Sequence, residues 1–271
     1  MERSRLRILC GMAWYRSKRF LYWIRFGKHF AKRGCMDSDA VKKMFPYTAF
    51  SHSSPLYRNL SEIDSQLQEG KVFNVTKAAG KISCTVVEPG KVFSYWKLIG
   101  NPTKAKGYKK GMMLVNGHPT AKTGGGLCAL SNLVYWMTLH TDLTVTERWR
   151  HSYDVFPDSN RTQPFGSGAT CVYNYRDLMV LNGTKTPYAL LVWIENKRLC
   201  GEWRTTEPVE TSYEVYQKDH WISCEFGNVY VRHNTIFRKR FAGGKCTGEE
   251  FVTENHAKMM YEPFLENKGK K

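Results

Sequence analysis

The chain has 271 residues, of which 42% are hydrophobic and 14% aromatic, and this composition excludes an intrinsically disordered protein. Lysine and arginine outnumber aspartate and glutamate by 41 to 24, which leaves a formal net charge of +17. Such an excess suits an anionic partner: a membrane surface, a nucleic acid or an anionic wall polymer. The sequence carries no RNA- or DNA-binding motif, so we do not expect a nucleic-acid partner.

The eight cysteines are scattered along the chain without a C-x-x-C pair. Zinc-site spacing is therefore absent, as is a glycine-rich phosphate-binding fingerprint, and we expect neither a metal nor another cofactor. Reduced thiols in this number are typical of a cytosolic protein. The expected localisation is cytoplasmic, with a peripheral position on the inner membrane face as an extension of that expectation.

Residues 1–44 form a basic, aromatic N-terminal segment whose pattern predicts helix. Its first 34 positions hold ten basic residues and one acidic residue, which gives them a net charge of +9. Apolar side chains recur on one helical face: Leu6, Leu9, Ala13, Phe20 and Ile24. The interspersed charges exclude a signal peptide, and the apolar run is too short to span a bilayer. The helix either lies on an anionic membrane surface through residues 1–34 or packs on its own domain.

Residues 45–205 form the predicted core domain. The apolar spacing predicts a helix over 59–79 and extended structure over 82–87 and 92–96. A strand over 112–115 and the turn pair Asn-Gly that follows it predict a hairpin. The second strand of this hairpin leads directly into a run of three glycines.

The segment Gly124–Cys128 is the most informative stretch of the sequence. Apolar residues follow it at helical spacing, which predicts a helix from Cys128 to about Leu139. The dipole and unpaired N–H groups at a helix start favour a thiolate nucleophile. Backbone N–H groups at this turn are also suited to hold an oxyanion, namely those of Gly125, Gly126, Leu127 and Cys128. Alternatively, Cys128 is a small buried hydrophobic side chain.

His151 is the candidate base. It follows a predicted strand over 143–145, and a strand–turn–helix–strand order would bring it beside Cys128. Asp154 and Asp158 lie in the loop that follows and are candidates to orient the imidazole. Alternatively, His151 is a surface or structural histidine and the two aspartates are turn residues.

Three antiparallel strands are predicted beyond this loop, over 169–175, 178–181 and 188–194. Residues 206–265 form a predicted C-terminal β/α extension packed on the core, with further strands and a helix over 249–261. Residues 266–271 are predicted to be a disordered tail. The expected fold class is α+β: an antiparallel sheet packed on the helix that starts at the Gly-Gly-Gly-Leu-Cys turn, with a basic helical N-terminus.

Several motifs resemble those of the VanW family. One is Gly-Gly-Gly-Leu-Cys followed by Leu-Ser-Asn, and another is Glu-Arg-Trp-Arg-His-Ser-Tyr-Asp-Val-Phe-Pro. Further matching stretches are 89–96, 164–170, 177–178, 213–216 and 253–256. The resemblance covers residues 45–263, and the combination of motifs is highly specific.

The resemblance has implications for the site. Some secreted family members resemble cysteine-dependent L,D-transpeptidases, which implies Cys128 as the nucleophile and His151 as the base. The family usually has Gln directly after the cysteine, where this chain has Ala129. Wider-family members often have Asp at the position of Gly168. We predict substrate contacts at Tyr95, Trp96, Ser131, Arg148 and Arg161.

The leading hypothesis is a protein associated with peptidoglycan and glycopeptide (vancomycin) resistance that acts as a cysteine-dependent acyl transferase. Its partner would be a peptidoglycan stem peptide or a lipid-linked precursor. The alternative is a non-catalytic accessory or binding protein at the cytoplasmic membrane face. Ala129 and the basic N-terminus favour that alternative.

Overall fold

The computed structural model describes residues 5–57, 65–115, 117–155 and 163–263. The α-helices of this part are α1 (Arg5–Arg25), α2 (Ser38–Met44), α3 (Ser65–Ile82), α4 (Tyr95–Ile99) and α5 (Cys128–Leu139). Short 3-10 helices lie at Gly27–His29 and Lys104–Lys106. The strands are β1 (Tyr47–Pro55), β2 (Thr85–Val87), β3 (Val92–Ser94), β4 (Lys110–Val115), β5 (His118–Thr123), β6 (Thr144–Glu147), β7 (Tyr153–Asp154), β8 (Met179–Leu181), β9 (Tyr188–Glu195), β10 (Arg198–Thr205), β11 (Thr211–Glu225), β12 (Val229–Ala242) and β13 (Lys245–Met259).

The strands form four sheets, and this combination of helices with mainly antiparallel sheets confirms the predicted α+β class. The central sheet is antiparallel with the order β1-β10-β9-β2. A smaller antiparallel sheet has the order β3-β8-β6, and β4 pairs with β5 in a hairpin. The division into segments 1–44, 45–205 and 206–265 stays a prediction, and the tail 266–271 lies outside the described residues.

Helix α5 packs directly on the central sheet, and its mostly buried residues form the middle of the hydrophobic core. A Cβ at Gly201 of β10 would lie 2.9 Å from the Met137 side chain, so glycine there lets the helix approach the sheet closely. On the same strand, Trp203 is fully buried and its indole N–H donates to the Thr138 hydroxyl at 3.2 Å. The C-terminal part of α5 is therefore packed closely against β10.

The long strands β11, β12 and β13 form a second antiparallel sheet, and β7 adds to β13 in parallel through two residues. The predicted helix over 249–261 is wrong because this stretch belongs to β13. Asn255, Ala257 and Met259 are buried in alternation, which is the two-residue period of a strand. Pairing with β12 overrides the local helical pattern.

Two further predictions differ from the structure. The extended segment over 92–96 ends at Ser94, whose hydroxyl accepts from the Lys97 N–H and caps α4. Residues 169–175 were predicted as a strand but have an irregular structure. Their backbone groups form hydrogen bonds with side chains and loop residues, and not with a neighbouring strand. The helix start at Cys128 is as predicted.

The N-terminal helix is confirmed in α1, which lies against the core through part of its surface. Arg19 pairs with Glu147 of β6 at 2.6 Å, and Trp23 is buried near the ring of Tyr173. None of the helices in the described ranges combines the length and the apolar character that crossing a bilayer requires.

Candidate functional site

The glycine turn before α5 is clamped by α3 and α4. At Gly126, which has φ of +95°, an added Cβ would lie 2.3 Å from the Lys71 side chain, so only glycine allows this approach. The hydroxyl of Tyr95 donates to the Leu127 carbonyl at 2.8 Å, and the Asn74 amide donates to the Gly125 carbonyl at 3.0 Å. These contacts fix the direction of the N–H groups at the helix start.

The N–H groups of this turn differ in their availability. The Gly125 N–H donates to the Lys122 carbonyl at 2.9 Å and is already used. Among the described residues, the N–H groups of Gly126, Leu127 and Cys128 donate to no backbone carbonyl, and that of Cys128 hydrogen-bonds to its own thiol. Gly126 and Cys128 are partly exposed. The three N–H groups are therefore suited to bind the oxygen of a reacting carbonyl.

The thiol of Cys128 points toward the 169–172 segment. Its Sγ lies 3.9 Å from the Cys171 carbonyl oxygen. Burial raises the pKa of the Cys128 thiol, and hydrogen bonding to the backbone offsets this effect only in part. Burial thus opposes the effect of the helix start, which was predicted to favour a thiolate, and that preference stays a prediction. Burial favours the neutral thiol over the thiolate at this position.

His151 is held close to the same end of α5. Its Nδ1 lies 2.7 Å from the Thr170 hydroxyl oxygen, and its Nε2 lies 3.4 Å from the Asn132 amide oxygen. Asn132 follows Cys128 by four residues on α5, so the two side chains share one helical face. His151 thus contacts the residue that lies one helical turn after Cys128 on α5.

The segment around Gly168 packs closely against both the His151 imidazole and α5. A Cβ at Gly168 would lie 2.8 Å from the Asn132 amide oxygen and 2.9 Å from His151 Nε2. The Ala169 N–H donates to the same Asn132 oxygen at 2.8 Å, and the Ser131 hydroxyl donates to the Ala169 carbonyl at 2.7 Å. Ser131 is fully buried and ties this segment to the helix, while its predicted substrate contact stays a prediction.

Arg148 joins this segment to the C-terminal sheet. Its guanidinium donates to the Gly168 carbonyl at 2.8 Å, and also to the Gly166 carbonyl. On β13 it donates to the Thr253 hydroxyl at 2.9 Å and to the Asn255 amide oxygen at 3.1 Å. Burial lowers the pKa of Arg148, although an arginine keeps its charge in proteins.

All of these partners of Arg148 are neutral. The side chain also lines a pocket of about 390 Å³ together with Arg150 and Trp149. The predicted substrate contact of Arg148 stays a prediction.

The structure holds Asp154 in a different environment from His151. Its carboxylate lies 3.3 Å from the Arg232 guanidinium and accepts from the Tyr261 hydroxyl at 2.8 Å. Its predicted orienting role stays a prediction, as does any role of Arg161, which lies outside the described residues with Asp158. Sequence reasoning missed Thr170 and Asn132, which both contact His151. The i+4 spacing after Cys128 was the available signal for Asn132.

Tyr95 and Trp96 are buried at the other side of the turn. The indole N–H of Trp96 donates to the Arg176 carbonyl at 2.9 Å, and its backbone N–H donates to Asp177 at 2.9 Å. Burial raises the pKa of Asp177 to about 7, and hydrogen bonds from Ser94 and Trp96 oppose the shift. Tyr95 and Trp96 therefore support the turn, and direct contact with a substrate stays a prediction.

The described ranges contain no group of three or more His, Cys, Asp or Glu side chains arranged to hold a metal ion.

Comparisons with known proteins place the site inside a matched region. A family model described as VanW like protein matches residues 70–204. The chain is 31% identical over 233 residues to the vancomycin B-type resistance protein VanW of Enterococcus faecalis, covering 84% of each chain. It is 30% identical over 82 residues to the uncharacterized protein YoaR of Bacillus subtilis, covering 30% of this chain and 27% of that protein. No solved structure matches significantly. The match at 70–204 includes Cys128, Asn132, His151 and Thr170.

Proposed function

The chain belongs to the VanW family, and we propose that it acts in glycopeptide resistance as a cysteine-dependent acyl transferase on peptidoglycan peptides. The observation that carries this proposal is the position of His151. The imidazole lies between Thr170 and Asn132, and Asn132 shares a helical face with Cys128. A stem peptide or a lipid-linked precursor is the proposed substrate.

In the first step, the thiol proton of Cys128 passes through a bridging water or hydroxyl to the unprotonated ring nitrogen of His151, as the sulfur attacks an amide carbonyl carbon. The imidazolium that forms can donate to Thr170 and Asn132, whose oxygens flank its two nitrogens. These two hydrogen bonds stabilise the charge created by the proton transfer. A raised thiol pKa makes this base necessary.

The carbonyl oxygen becomes an oxyanion, and the N–H groups of Gly126, Leu127 and Cys128 are the proposed donors to it. When the intermediate collapses, the C–N bond breaks and the amine leaves with the proton from His151. The acyl group remains on Cys128 as a thioester. An incoming amine completes transpeptidation, whereas water completes hydrolysis.

A second candidate function is a non-catalytic accessory or binding protein at the membrane face. The buried, neutral thiol of Cys128 favours it, because a structural cysteine has this character. Ala129 in place of the usual glutamine also favours it, since a side-chain amide beside the nucleophile is missing.

Product analysis distinguishes the two functions. The protein is incubated with stem-peptide muropeptides and, separately, with lipid-linked precursor, and products are separated by liquid chromatography with mass detection. We expect transferred or shortened peptides from the wild type and from Cys35→Ser, an exposed-cysteine control, but none from Cys128→Ser. Binding of the peptides without any product from folded wild-type protein would favour the accessory function.

A further inference from the structure

Helix α1 uses only one side to pack on the core. On this side Arg19 pairs with Glu147, Trp23 is buried, and Met12 and Arg16 are half-buried. These four positions recur at spacings of four, three and four residues, which is the period of one helical face. The rings of Tyr15 and Tyr175 also lie 6.0 Å apart beside this face.

The opposite side of α1 is apolar and exposed. Its most exposed apolar side chains are 62–76% exposed, and they are Leu6, Leu9, Trp14, Leu21 and Ile24. Together with Ala13 they occupy a sector of about 140° on a helix of 3.6 residues per turn. Phe20 lies in the same sector but is 46% exposed and contacts the rings of Trp23 and Tyr173. Ser17 and Cys10 lie within the same sector, so the face is mainly apolar, and an exposed apolar face of this size marks an interaction site.

Basic residues border this apolar face along one edge. Arg7, Lys18 and Arg25 fall within about 20° of one another on the helix and follow directly after Trp14. All three are exposed. The surrounding segment of 34 residues carries a net charge of +9, with Glu2 as its one acidic residue.

The apolar face and its basic edge together indicate what kind of partner covers this part of α1. An apolar stripe beside a basic edge, with a tryptophan between them, matches the boundary between acyl chains and anionic headgroups. The interspersed charges and the absence of a spanning helix in the described ranges agree with a helix that lies along the surface. A protein partner would have to supply a matching acidic rim, whereas an anionic bilayer supplies it everywhere.

We propose that α1 is an interfacial anchor that docks the protein on an anionic lipid bilayer through Leu6, Leu9, Trp14, Leu21 and Ile24. Another face of the same helix packs on the core, so the core is held next to the bilayer when the helix is bound. This anchor is independent of the chemistry of Cys128.

Flotation of the full-length protein with lipid vesicles tests the anchor. We expect binding to vesicles of equimolar phosphatidylglycerol and phosphatidylcholine, weaker binding to pure phosphatidylcholine, and weakening by salt. Leu6→Gln/Ile24→Gln should weaken binding on the order of a hundredfold, since two apolar side chains no longer enter the interface. Lys18→Gln/Arg25→Gln should weaken it on the order of tenfold on anionic vesicles only.

Matched control variants carry the same types of substitution at exposed residues outside α1. Ile222→Gln/Phe226→Gln alters two exposed apolar residues near the β11–β12 turn, and Lys104→Gln/Lys106→Gln removes two exposed charges. Both controls should bind as the wild type does. No flotation of the wild type, or equal binding by the α1 variants, would overturn the proposal. It would also be overturned by sedimentation equilibrium showing a dimer that Leu6→Gln/Ile24→Gln dissociates, because a second copy would then cover the face.

Discussion

The hydroxyl oxygen of Thr170 lies 2.7 Å from Nδ1 of His151, on the side of the imidazole away from Asn132. The Asn132 oxygen is itself fixed, because it accepts from the Ala169 N–H at 2.8 Å. The ring therefore has an oxygen at each nitrogen, an arrangement suited to a histidine that gains a proton during a reaction.

Removal of the Thr170 hydroxyl should impair catalysis more than folding. Thr170→Val keeps the shape of the side chain and loses the contact with Nδ1, so we expect acyl transfer to fall on the order of tenfold to a hundredfold. The free energy of unfolding should fall by only about 1 kcal/mol. Thr170→Ser should retain most activity. Full activity in Thr170→Val would show that this contact does not orient His151.

Addition of a methyl group at Gly168 should displace the imidazole. The new Cβ would lie 2.9 Å from His151 Nε2 and 2.8 Å from the Asn132 oxygen. Gly168→Ala should lose about 1–3 kcal/mol of stability and most activity, as measured by denaturant unfolding and product formation. Gly183→Ala is the matched control, since nothing lies within 4 Å of its Cβ. If Gly168→Ala behaves like this control, the close packing around His151 is not required.

The reactivity of Cys128 should reflect its burial. Because burial raises the pKa of this thiol, alkylation by iodoacetamide should begin at a higher pH than for a cysteine in an unstructured model peptide. Peptide mapping by mass spectrometry follows Cys128 separately from the other cysteines. A midpoint below that of the model peptide would mean that the helix start and His151 outweigh desolvation, and the account of a neutral resting thiol would be incorrect.

Asp177 should make stability depend on pH. Its pKa is about 7 in the folded chain and 3.8 as a model value, so the folded state binds more protons between these pH values. Its favourable contribution is complete below about pH 4 and is lost as the pH rises through about 7. The loss is about 4 kcal/mol at most.

Asp177→Asn removes this titration and can still accept from the Trp96 and Leu178 N–H groups. Relative to the wild type, the variant should gain stability as the pH rises from about 4 to 8, as measured by urea unfolding. Parallel pH profiles for the two proteins would exclude a raised pKa at Asp177.

The sequence predicted the turn and the helix start at Cys128, which depend only on residues close together in the chain. The glycine run and the apolar spacing after Cys128 give a helix start at that residue because turn and helix need no distant partner. The strand character of β13 was missed for the opposite reason. Its pairing with β12 is non-local, and it prevails over a helical pattern in 249–261.

The sequence predicted that His151 lies beside Cys128, since strand, turn and helix follow one another in the chain, and this pairing stays a prediction. The contacts of His151 with Thr170 and Asn132 were not predicted, because the irregular 168–171 segment adopts no repeating pattern that the sequence displays. The sign of the Cys128 pKa shift depends on how much of the molecule covers the thiol. Composition and spacing do not carry that information.

The most direct test of the catalytic account is intact-mass spectrometry of the purified protein during incubation with stem-peptide muropeptides and lipid-linked precursor. We predict an added mass equal to an acyl fragment of the substrate in the wild type and in Cys35→Ser, and none in Cys128→Ala. The released amine should appear at the same rate. If folded wild-type protein shows neither adduct nor product with either substrate, Cys128 is not the nucleophile of such an acyl transfer.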